Sequence, residues 1–310
     1  MKPCARLLQL HGVIVDLIYN VEAVPPAGAE ATVQQFSMHA GGGFNAMLAA
    51  KRSGMEVTYG GSLGTGPLSD FVANALADEA IASLQPRDPA RDQGCCTVMI
   101  DRLGERTFVA AEGAEGHASK AAFDRILLSD FDWSIISGYT LYYKGSSDAL
   151  TAWLQASERL PNLVFDPSPV IGGVRPETIQ AVLEKAAWVS ANASEAEVLT
   201  GVRDPVTAAA RLAGDRAGGS VVRMGAQGCI VASQGHVHRV PGHTVAAVDT
   251  NGAGDTHIGS FIAALARGHE PGEAALYANT AAALSTMRHG PATAPDLATV
   301  EAQLRFEKAG

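Results

Sequence analysis

Short apolar runs alternate with segments of helical period along most of the chain. Runs typical of buried strands lie at 7–15, 57–60, 134–137, 163–166, 188–190 and 220–223. Helical spacing lies between them at 45–52, 68–80, 148–158, 176–185 and 194–199, and again at 254–267, 272–287 and 297–306. Strands that alternate with helices form a mostly parallel sheet with helices on both faces. We therefore predict an α/β fold, a three-layer α/β/α sandwich.

Two of the predicted helices also carry local start signals. Pro176 suits the first turn of a helix, where its missing N–H is not needed. Ser194 and Glu197 have the spacing of a capping box. In a capping box the side chain of each of the two residues accepts a hydrogen bond from the backbone N–H of the other residue. These signals place two helix starts near residues 176 and 194.

Two segments do not fit the alternation. The segment 95–111 predicts a hairpin, because β-rich runs flank a polar turn, and 31–43 also alternates before it reaches glycines. A small sheet over one end of the main sheet is the simplest place for such strands. We expect a single domain over residues 1–310, with a lid formed by segments at about 14–40 and 94–112. Such a lid would shield a site from water or pair with a second copy.

The composition argues against several classes of protein. A net charge of -9 disfavours a general nucleic-acid binder, which needs an excess of lysine and arginine on one face. The first apolar stretch is interrupted by Gln9, His11 and Asp16, and no run approaches the roughly 18 apolar residues of a membrane span. The four cysteines lack CxxC spacing, so they indicate neither a zinc site nor a disulfide framework. We expect a cytoplasmic protein that binds neither nucleic acid nor membrane.

The strongest chemical signal is the stretch DTNGAGDTHIGSF at 249–261. An Asn-Gly pair alone is typical of a hairpin turn, but the residues after it have helical period. Gly252, Ala253 and Gly254 would then supply backbone N–H groups at a helix start, where the helix dipole also favours an anion. Asp255 would lie in the first turn, as a simple helix cap or as the base that accepts a proton from an attacking hydroxyl. The glycines before it favour the base, and with it phosphoryl transfer.

Together with AGGGFNAMLAAKRSG at 40–54 and NASE at 192–195, this motif resembles the ribokinase-like carbohydrate kinase family, often called the PfkB family. The order and spacing of the motifs match over essentially the whole chain. Members of this family transfer the γ-phosphate of ATP to a hydroxyl of a sugar, a sugar phosphate or a nucleoside. The resemblance implies that Asp255 is the base and that the three residues before it bind the transferred phosphoryl group.

The resemblance also implies sites for ATP and Mg²⁺. Glu195 is expected to organise Mg²⁺ through water, which suits a metal that prefers oxygen ligands and keeps its waters; its alternative is an ordinary surface acid near a helix start. Arg223 differs from the small polar residue usual in the family, and it either contacts a phosphate or packs at a strand end. Asn279 either lines the adenine pocket or faces solvent. The expected nucleotide-binding residues are Asn192, Arg223, Gly225, Gly228 and Asn279.

For the acceptor, the resemblance points to residues near the lid. Asp16, at the end of the first predicted strand, would hold sugar hydroxyls, since an unpaired charge in a buried strand is otherwise costly. Gly42 and Gly43 let the backbone approach the sugar, and the amide of Asn45 can both donate and accept. A tight turn before the helix also explains the glycines, although not Asn45. Tyr139 follows a strand at the same edge of the sheet.

Several residues depart from the family pattern. The usual GxDxxG reads GTGPLS at 64–69, without its acid and last glycine, which leaves the identity of the acceptor open. His257 stands where Phe is frequent. Many members also bind K⁺ near an acid at the position of Asp249, which is present here, and 287–290 would complete such a site.

These residues predict an ATP- and Mg²⁺-dependent kinase that acts on a primary hydroxyl of a small sugar under the lid. A nucleoside kinase is the alternative among enzymes, because a ribosyl 5′-hydroxyl is chemically the same target. A sugar- or nucleotide-binding regulator without turnover is a second alternative, but it would need no base. A dehydrogenase is disfavoured because no GxGxxG follows the first strand. The resemblance and the unpaired edges of the hairpin also suggest a homodimer formed through the lid.

Overall fold

The computed structural model describes residues 4–309, with side chains up to residue 306. Within that range the chain forms a nine-stranded sheet, a four-stranded sheet and eleven α-helices, and none of these helices is both long and apolar enough to cross a membrane. The strands are β1 (Arg6–Gln9), β2 (Val13–Val21), β3 (Val33–Gly42), β4 (Glu56–Tyr59), β5 (Ala82–Ser83), β6 (Cys95–Ile100), β7 (Arg106–Ala111), β8 (Trp133–Ser137), β9 (Leu163–Asp166), β10 (Trp188–Asn192), β11 (Gly219–Arg223), β12 (Cys229–Ser233) and β13 (His236–Val240). The helices are α1 (Gly43–Arg52), α2 (Pro67–Asp78), α3 (Lys120–Asp124), α4 (Gly138–Tyr142), α5 (Lys144–Ala156), α6 (Pro176–Lys185), α7 (Ala193–Thr200), α8 (Pro205–Ala213), α9 (Ala253–Ala266), α10 (Pro271–Ser285) and α11 (Leu297–Ala309).

The nine-stranded sheet separates two hydrophobic cores. Its strand order is β13-β12-β11-β10-β9-β8-β1-β4-β5. The seven strands β11, β10, β9, β8, β1, β4 and β5 are parallel to one another, and β12 and β13 pair antiparallel at the other edge. Successive residues of a strand point to opposite faces. Leu7 therefore packs in the core with α1, α9 and α10, and Leu8 packs in the core with α5, α6 and α8. The predicted three-layer sandwich with a mostly parallel sheet is confirmed.

The four-stranded sheet has the order β3-β2-β6-β7. The predicted hairpin at 95–111 is confirmed, because β6 and β7 pair antiparallel throughout. The alternating segment at 31–43 forms β3, which pairs antiparallel with β2. We refer to these four strands as the small sheet.

The single strand predicted at 7–15 is wrong, because the chain changes sheets at residues 10–12. β1 ends at Gln9 in the large sheet, and β2 begins at Val13 in the small sheet. Asp16 therefore lies inside β2 and not at the end of the first strand. Val13 and Val15 are buried in the same core as Leu7. The apolar pattern thus continues across the change of sheet and does not mark it.

Helix starts follow local signals only in part. Pro176 occupies the first turn of α6, as predicted. The capping box predicted for Ser194 and Glu197 is wrong, because Asn192 and Glu195 form it two residues earlier. Helix α8 is missing from the predicted elements although the sequence carries signals for its start, since Asp204 is its N-cap and Pro205 lies in its first turn.

Candidate active site

The carboxyl ends of five neighbouring parallel strands form one edge of the large sheet. The strands β11, β10, β9, β8 and β1 are adjacent, so the residues at or just after their ends lie in a row. In that order the row contains Arg223, Asn192, Asp166, Tyr139 and His11. The start of α9 and the strand β2 add two further acids close enough to interact electrostatically, Asp255 and Asp16. Polar chemistry is therefore concentrated at this edge.

Helix α9 begins with free backbone donors. Its N-cap Gly252 has a φ of 72°, and a Cβ there would lie 2.2 Å from the carbonyl oxygen of Pro291, so only glycine fits. Within residues 4–309, the N–H groups of Gly252 and Gly254 have no hydrogen-bond partner. The N–H of Ala253 has only a 3.4 Å contact with the carbonyl oxygen of Thr250. The start of α9 can therefore present several N–H groups to an anion.

Asp255 lies half-buried in the first turn of α9. Asn45, in the first turn of α1, donates from Nδ2 to Oδ2 of Asp255 at 3.1 Å. Burial raises the pKa of Asp255 to about 7, and the neighbouring carboxylate of Asp166 acts in the same direction. A carboxylate with a pKa near neutrality is well matched to accepting a proton from a hydroxyl at physiological pH.

Asn192 and Glu195 satisfy each other at the start of α7. The two carboxylate oxygens of Glu195 accept from the N–H and the Nδ2 of Asn192 at 2.8 and 2.7 Å, and Oδ1 of Asn192 accepts from the N–H of Glu195 at 2.9 Å. Glu195 is buried, which raises its pKa, so the alternative of an ordinary surface acid does not hold. Because both of its oxygens are already engaged, this carboxylate fits a metal ion through bridging water.

Arg223 lies between two carboxylates. Its Nη2 is 3.6 Å from Oδ1 of Asp166 and 3.5 Å from Oε2 of Glu195, and its Nη1 donates to the hydroxyl of Ser190 at 2.6 Å. Its Nε lies 3.8 Å from where a Cβ on Gly254 would be. The guanidinium thus borders the free N–H groups of α9, which favours a contact with phosphate over packing at the strand end alone.

Asp166 is a site residue that the sequence reasoning missed. It ends β9, is buried, and accepts from the N–H of Ser168 at 3.3 Å. Its charge raises the pKa of Asp255 and of Glu195. One signal could have found it, since an acid directly after a buried parallel strand falls at the same sheet edge as the residues that follow the neighbouring strands.

A cavity of about 460 Å³ lies between α9, α10 and the loop after β11. A Cβ on Gly228 would lie 2.1 Å from the carbonyl oxygen of Val240, so this wall of the cavity depends on glycine. Asn279 is buried and donates from Nδ2 to the carbonyl oxygen of Pro241 at 2.9 Å, and its Oδ1 lies 3.1 Å from Nε2 of His257. Asn279 therefore does not face solvent. The predicted nucleotide-binding residues all line this cavity: Asn192, Arg223, Gly225, Gly228 and Asn279.

Three glycines at the junction of β3 and α1 make room for different groups. A Cβ on Gly41 would lie 2.1 Å from Oδ2 of Asp16, so Gly41, which was not predicted, accommodates that carboxylate. A Cβ on Gly42 or Gly43 would come within 2.7 Å of a backbone carbonyl oxygen at 11–12. The predicted pair therefore allows close packing against the chain at 11–12, and β3 runs directly into α1 without the tight turn of the alternative. Burial raises the pKa of Asp16 to about 6.

His11 and Tyr139 form a stacked pair of rings at the far end of the row. The ring centroids are 5.9 Å apart and the planes differ by 8°. His11 is only 6% exposed, and burial lowers its pKa to about 4, so its ring is neutral above that pH. Among the described residues its ring nitrogens have no hydrogen-bond partner. Sequence reasoning predicted Tyr139 and missed His11, which has no motif around it.

The carboxylate of Asp249 is occupied by protein donors. Its Oδ1 accepts from Nη2 of Arg106 at 2.7 Å and from the N–H of Asn251 at 3.0 Å, and its Oδ2 accepts from the N–H of Gly290 at 3.0 Å. Both oxygens are engaged, and an arginine of β7 already supplies positive charge. The K⁺ site predicted from Asp249 and 287–290 therefore does not fit this arrangement.

The departure from the family pattern at 64–69 has a structural explanation. Helix α2 begins at Pro67, and the carboxylate of Asp92 accepts from the N–H groups of Leu68 and Ser69 at 3.1 and 2.7 Å. A Cβ on Gly66 would lie 2.6 Å from that carboxylate. An acid from a distant part of the chain thus caps this helix.

The sequence is similar to those of known carbohydrate kinases. Residues 9–297 match the sequence pattern of the pfkB family of carbohydrate kinases. An uncharacterized sugar kinase of Escherichia coli, YegV, is 28% identical over 288 residues, which cover 91% of this chain and 88% of that protein. The ribokinase of Haemophilus influenzae is 26% identical over 294 residues, with 92% and 93% covered.

Solved structures share the fold. The ribokinase of Thermotoga maritima superposes with a TM-score of 0.82 at 21% identity, covering 97% of this chain and 99% of that one. A putative ribokinase II from Escherichia coli, in complex with ATP and Mg²⁺, superposes with a TM-score of 0.80 at 21% identity, with 97% and 99% covered. At this level of identity the likeness concerns the fold alone.

Proposed function

The chain belongs to the pfkB family of carbohydrate kinases, and on that premise we propose that it transfers the γ-phosphate of ATP to a primary hydroxyl of a small, uncharged sugar. The observation that carries the proposal is the start of α9. There a carboxylate with a pKa of about 7, Asp255, follows directly after free backbone N–H groups at the edge of a cavity large enough for a nucleotide. A base beside an anion site is the pairing that phosphoryl transfer to an alcohol requires.

The proposed mechanism gives each group one task. Asp255 orients the acceptor hydroxyl through a hydrogen bond and takes its proton as the new O–P bond forms and the bond from the γ-phosphorus to the bridging oxygen breaks, so that ADP leaves. The N–H groups of Gly252, Ala253 and Gly254 stabilise the charge that develops on the transferred phosphoryl oxygens. Arg223, which borders these N–H groups, adds positive charge on the same side.

The proposed phosphate donor is ATP with Mg²⁺, as in the complex of the related ribokinase II. Bound Mg²⁺ would neutralise charge on the β- and γ-phosphates. Asp166 and Glu195 are the carboxylates that would hold its water shell, since both lie beside Arg223 at the edge of the nucleotide cavity. The nucleotide itself would occupy the cavity lined by Gly225, Gly228 and Asn279.

The charge of the site favours an acceptor without phosphate or carboxylate groups. The proposed acceptor residues are Asp16, Gly42, Gly43, Asn45 and Tyr139, and the two acids at this end of the site are Asp16 and Asp255. Arg223 lies at the nucleotide end of the site beside Asp166 and Glu195, and Arg106 is paired with Asp249. An anionic acceptor would therefore meet carboxylates without gaining a free cation.

A coupled assay of ADP release tests the proposed function. The acceptors are free pentoses and hexoses, nucleosides, sugar phosphates and sugar acids, each with Mg²⁺ and ATP. We expect turnover with at least one free sugar and none with its phosphorylated or carboxylated counterpart. Turnover with nucleosides alone would replace the proposal by a nucleoside kinase, and ADP release without any acceptor requirement would reject sugar phosphorylation.

One face of the small sheet carries a row of exposed apolar side chains. Cross-strand register places Phe36 opposite Tyr19, Met38 opposite Leu17 and Val109 opposite Thr97, all on one face. Phe36 and Val109 are 52% and 60% exposed. We propose that a second copy covers this face, since an exposed apolar row beside an open strand edge is typical of an interface.

The double variant Phe36→Asp/Val109→Asp should be a monomer, because two charges would oppose burial of the face. Sedimentation velocity of the wild type and the variant measures the change. Leu127→Asp, at a residue that is 66% exposed outside the small sheet, is the control and should leave the mass unchanged. A monomeric wild type at micromolar concentration would contradict the proposed dimer.

A further inference from the structure

An ion pair joins the small sheet to the loop that leads into α9. Arg106, the first residue of β7, places Nη2 2.7 Å from Oδ1 of Asp249 and Nη1 3.5 Å from the hydroxyl of Thr250. We propose that Arg106 is the resident cation of this loop. Its guanidinium takes the place of an alkali metal ion and positions the N–H groups of 252–254 for phosphoryl transfer. This inference rests on the proposed function.

The loop is held by the carboxylate of Asp249. Its Oδ1 also accepts from the N–H of Asn251, the residue before Gly252, and its Oδ2 accepts from the N–H of Gly290. The next residue, Pro291, has its carbonyl oxygen directly against Gly252, 2.2 Å from where a Cβ would lie. A shift of Asp249 would therefore move both the turn before α9 and the segment 290–291 that packs against Gly252.

This carboxylate requires a positive partner. The side chain of Asp249 is 12% exposed and that of Arg106 is 29% exposed, so water screens the pair only in part. Without a cation, only the N–H groups of Asn251 and Gly290 would offset the cost of taking this carboxylate out of water. Arginine meets the requirement with a permanent charge and several N–H donors on a planar group. A soluble monovalent ion is then not needed.

The ion pair also links the loop to the acceptor side. In the small sheet, Arg106 of β7 is opposite Ile100 of β6, and Ile100 is opposite Asn20 of β2. Asp16 lies four residues before Asn20 in β2, so its side chain is on the same face of the sheet as Arg106. One contact therefore fixes the face that carries Asp16 relative to the helix that carries Asp255. We expect Arg106 to act as a positioning residue, since it touches neither reacting group.

The test compares Arg106→Gln with Arg102→Gln under different salts. Arg102, in the turn between β6 and β7, is the matched control. It also forms an ion pair, with Glu22 at 3.4 Å, but both side chains are mostly exposed, at 68% and 72%. Steady-state rates are measured in KCl, NaCl and tetramethylammonium chloride at equal ionic strength. The wild type and Arg102→Gln should keep their rates within about twofold in all three salts, since exposed pairs contribute little.

Arg106→Gln should lower kcat by about 10- to 100-fold in tetramethylammonium chloride, because misplaced catalytic groups are costly. KCl should restore part of the loss by supplying a cation to Asp249, and this rescue would not follow from a merely structural defect. A wild type that requires K⁺, an Arg106→Gln enzyme with a normal rate, or a loss that no cation reverses would each overturn the inference.

Hydrogen exchange provides a readout that does not depend on turnover. Arg106→Gln should speed amide exchange at both 101–106 and 249–252, whereas Arg102→Gln should affect only 101–106. If no acceptor gives turnover even with the wild type, the proposed function fails, and the exchange pattern still decides on the ion pair. Unchanged exchange at 249–252 in Arg106→Gln would reject the link.

Discussion

Replacing Asp255 by Asn is expected to lower kcat by about 10²- to 10⁴-fold, the range over which general bases contribute. The amide keeps the shape of the side chain and an oxygen that can accept from Nδ2 of Asn45, which now reaches Asp255 at 3.1 Å. It cannot take a proton from the acceptor hydroxyl. Steady-state rates at saturating Mg²⁺-ATP and acceptor measure the effect.

The variant should fold normally. The folded-state pKa of Asp255, about 7, lies above the ordinary value of 3.8. A raised carboxyl pKa means that the folded protein binds the proton more tightly, so this stabilisation is present at low pH and is lost as pH rises through about 7. At pH 8 the ionised group opposes folding, and Asp255→Asn should have at least the wild-type free energy of unfolding. Thermal denaturation at pH 8 checks this.

A matched control and a pH profile separate a base from a helix cap. Asp204 caps α8 at an exposed helix start, where its Oδ2 accepts from the N–H of Thr207 at 2.8 Å. Asp204→Asn should leave kcat unchanged. The wild-type kcat/KM should rise with pH through about 7, because only the ionised Asp255 can act as base. A turnover of Asp255→Asn within a few-fold of wild type would remove this residue from the mechanism.

Replacing Gly252 by Ala is expected to lower kcat by about 10²- to 10³-fold, the loss associated with removing one oxyanion-hole donor. Gly252 has a φ of 72°, which costs alanine energy, and the new Cβ would lie 2.2 Å from the carbonyl oxygen of Pro291. The turn before α9 must then shift, and its N–H groups with it. The KM for the acceptor should change little, because in the proposed mechanism these donors contact the phosphoryl group and not the acceptor.

Gly272→Ala is the control for this substitution. Gly272 also lies in the first turn of a helix, α10, and a Cβ there would have no atom within 4 Å. That variant should keep wild-type kcat and gain up to about 1 kcal/mol of stability, since alanine favours helix. If Gly252→Ala retains normal turnover while its folding is intact, the start of α9 is not the anion site.

Local patterns in the sequence determined the layers of the fold and the centre of the candidate site. Hydrophobic period separates strands from helices, because the faces of each element must be buried. The stretch at 249–261 identifies a helix start with free donors and an acid in its first turn, because both features depend on neighbouring residues. Asn279 and Gly228 line one cavity, and their part in nucleotide binding stays a prediction of the resemblance.

The tertiary structure alone decided which side chains pair across the chain. Arg106 and Asp249 are 143 positions apart, and Arg223 is 28 positions from Glu195, so no local spacing predicts either contact. The same holds for Asp166, whose place beside Arg223 depends on strand order, and for Asp16, which lies inside β2 because the chain changes sheets where apolar burial continues. The hydrophobic period of the sequence predicts whether a side chain is buried. Only the packed fold determines which buried polar side chains lie in contact with one another.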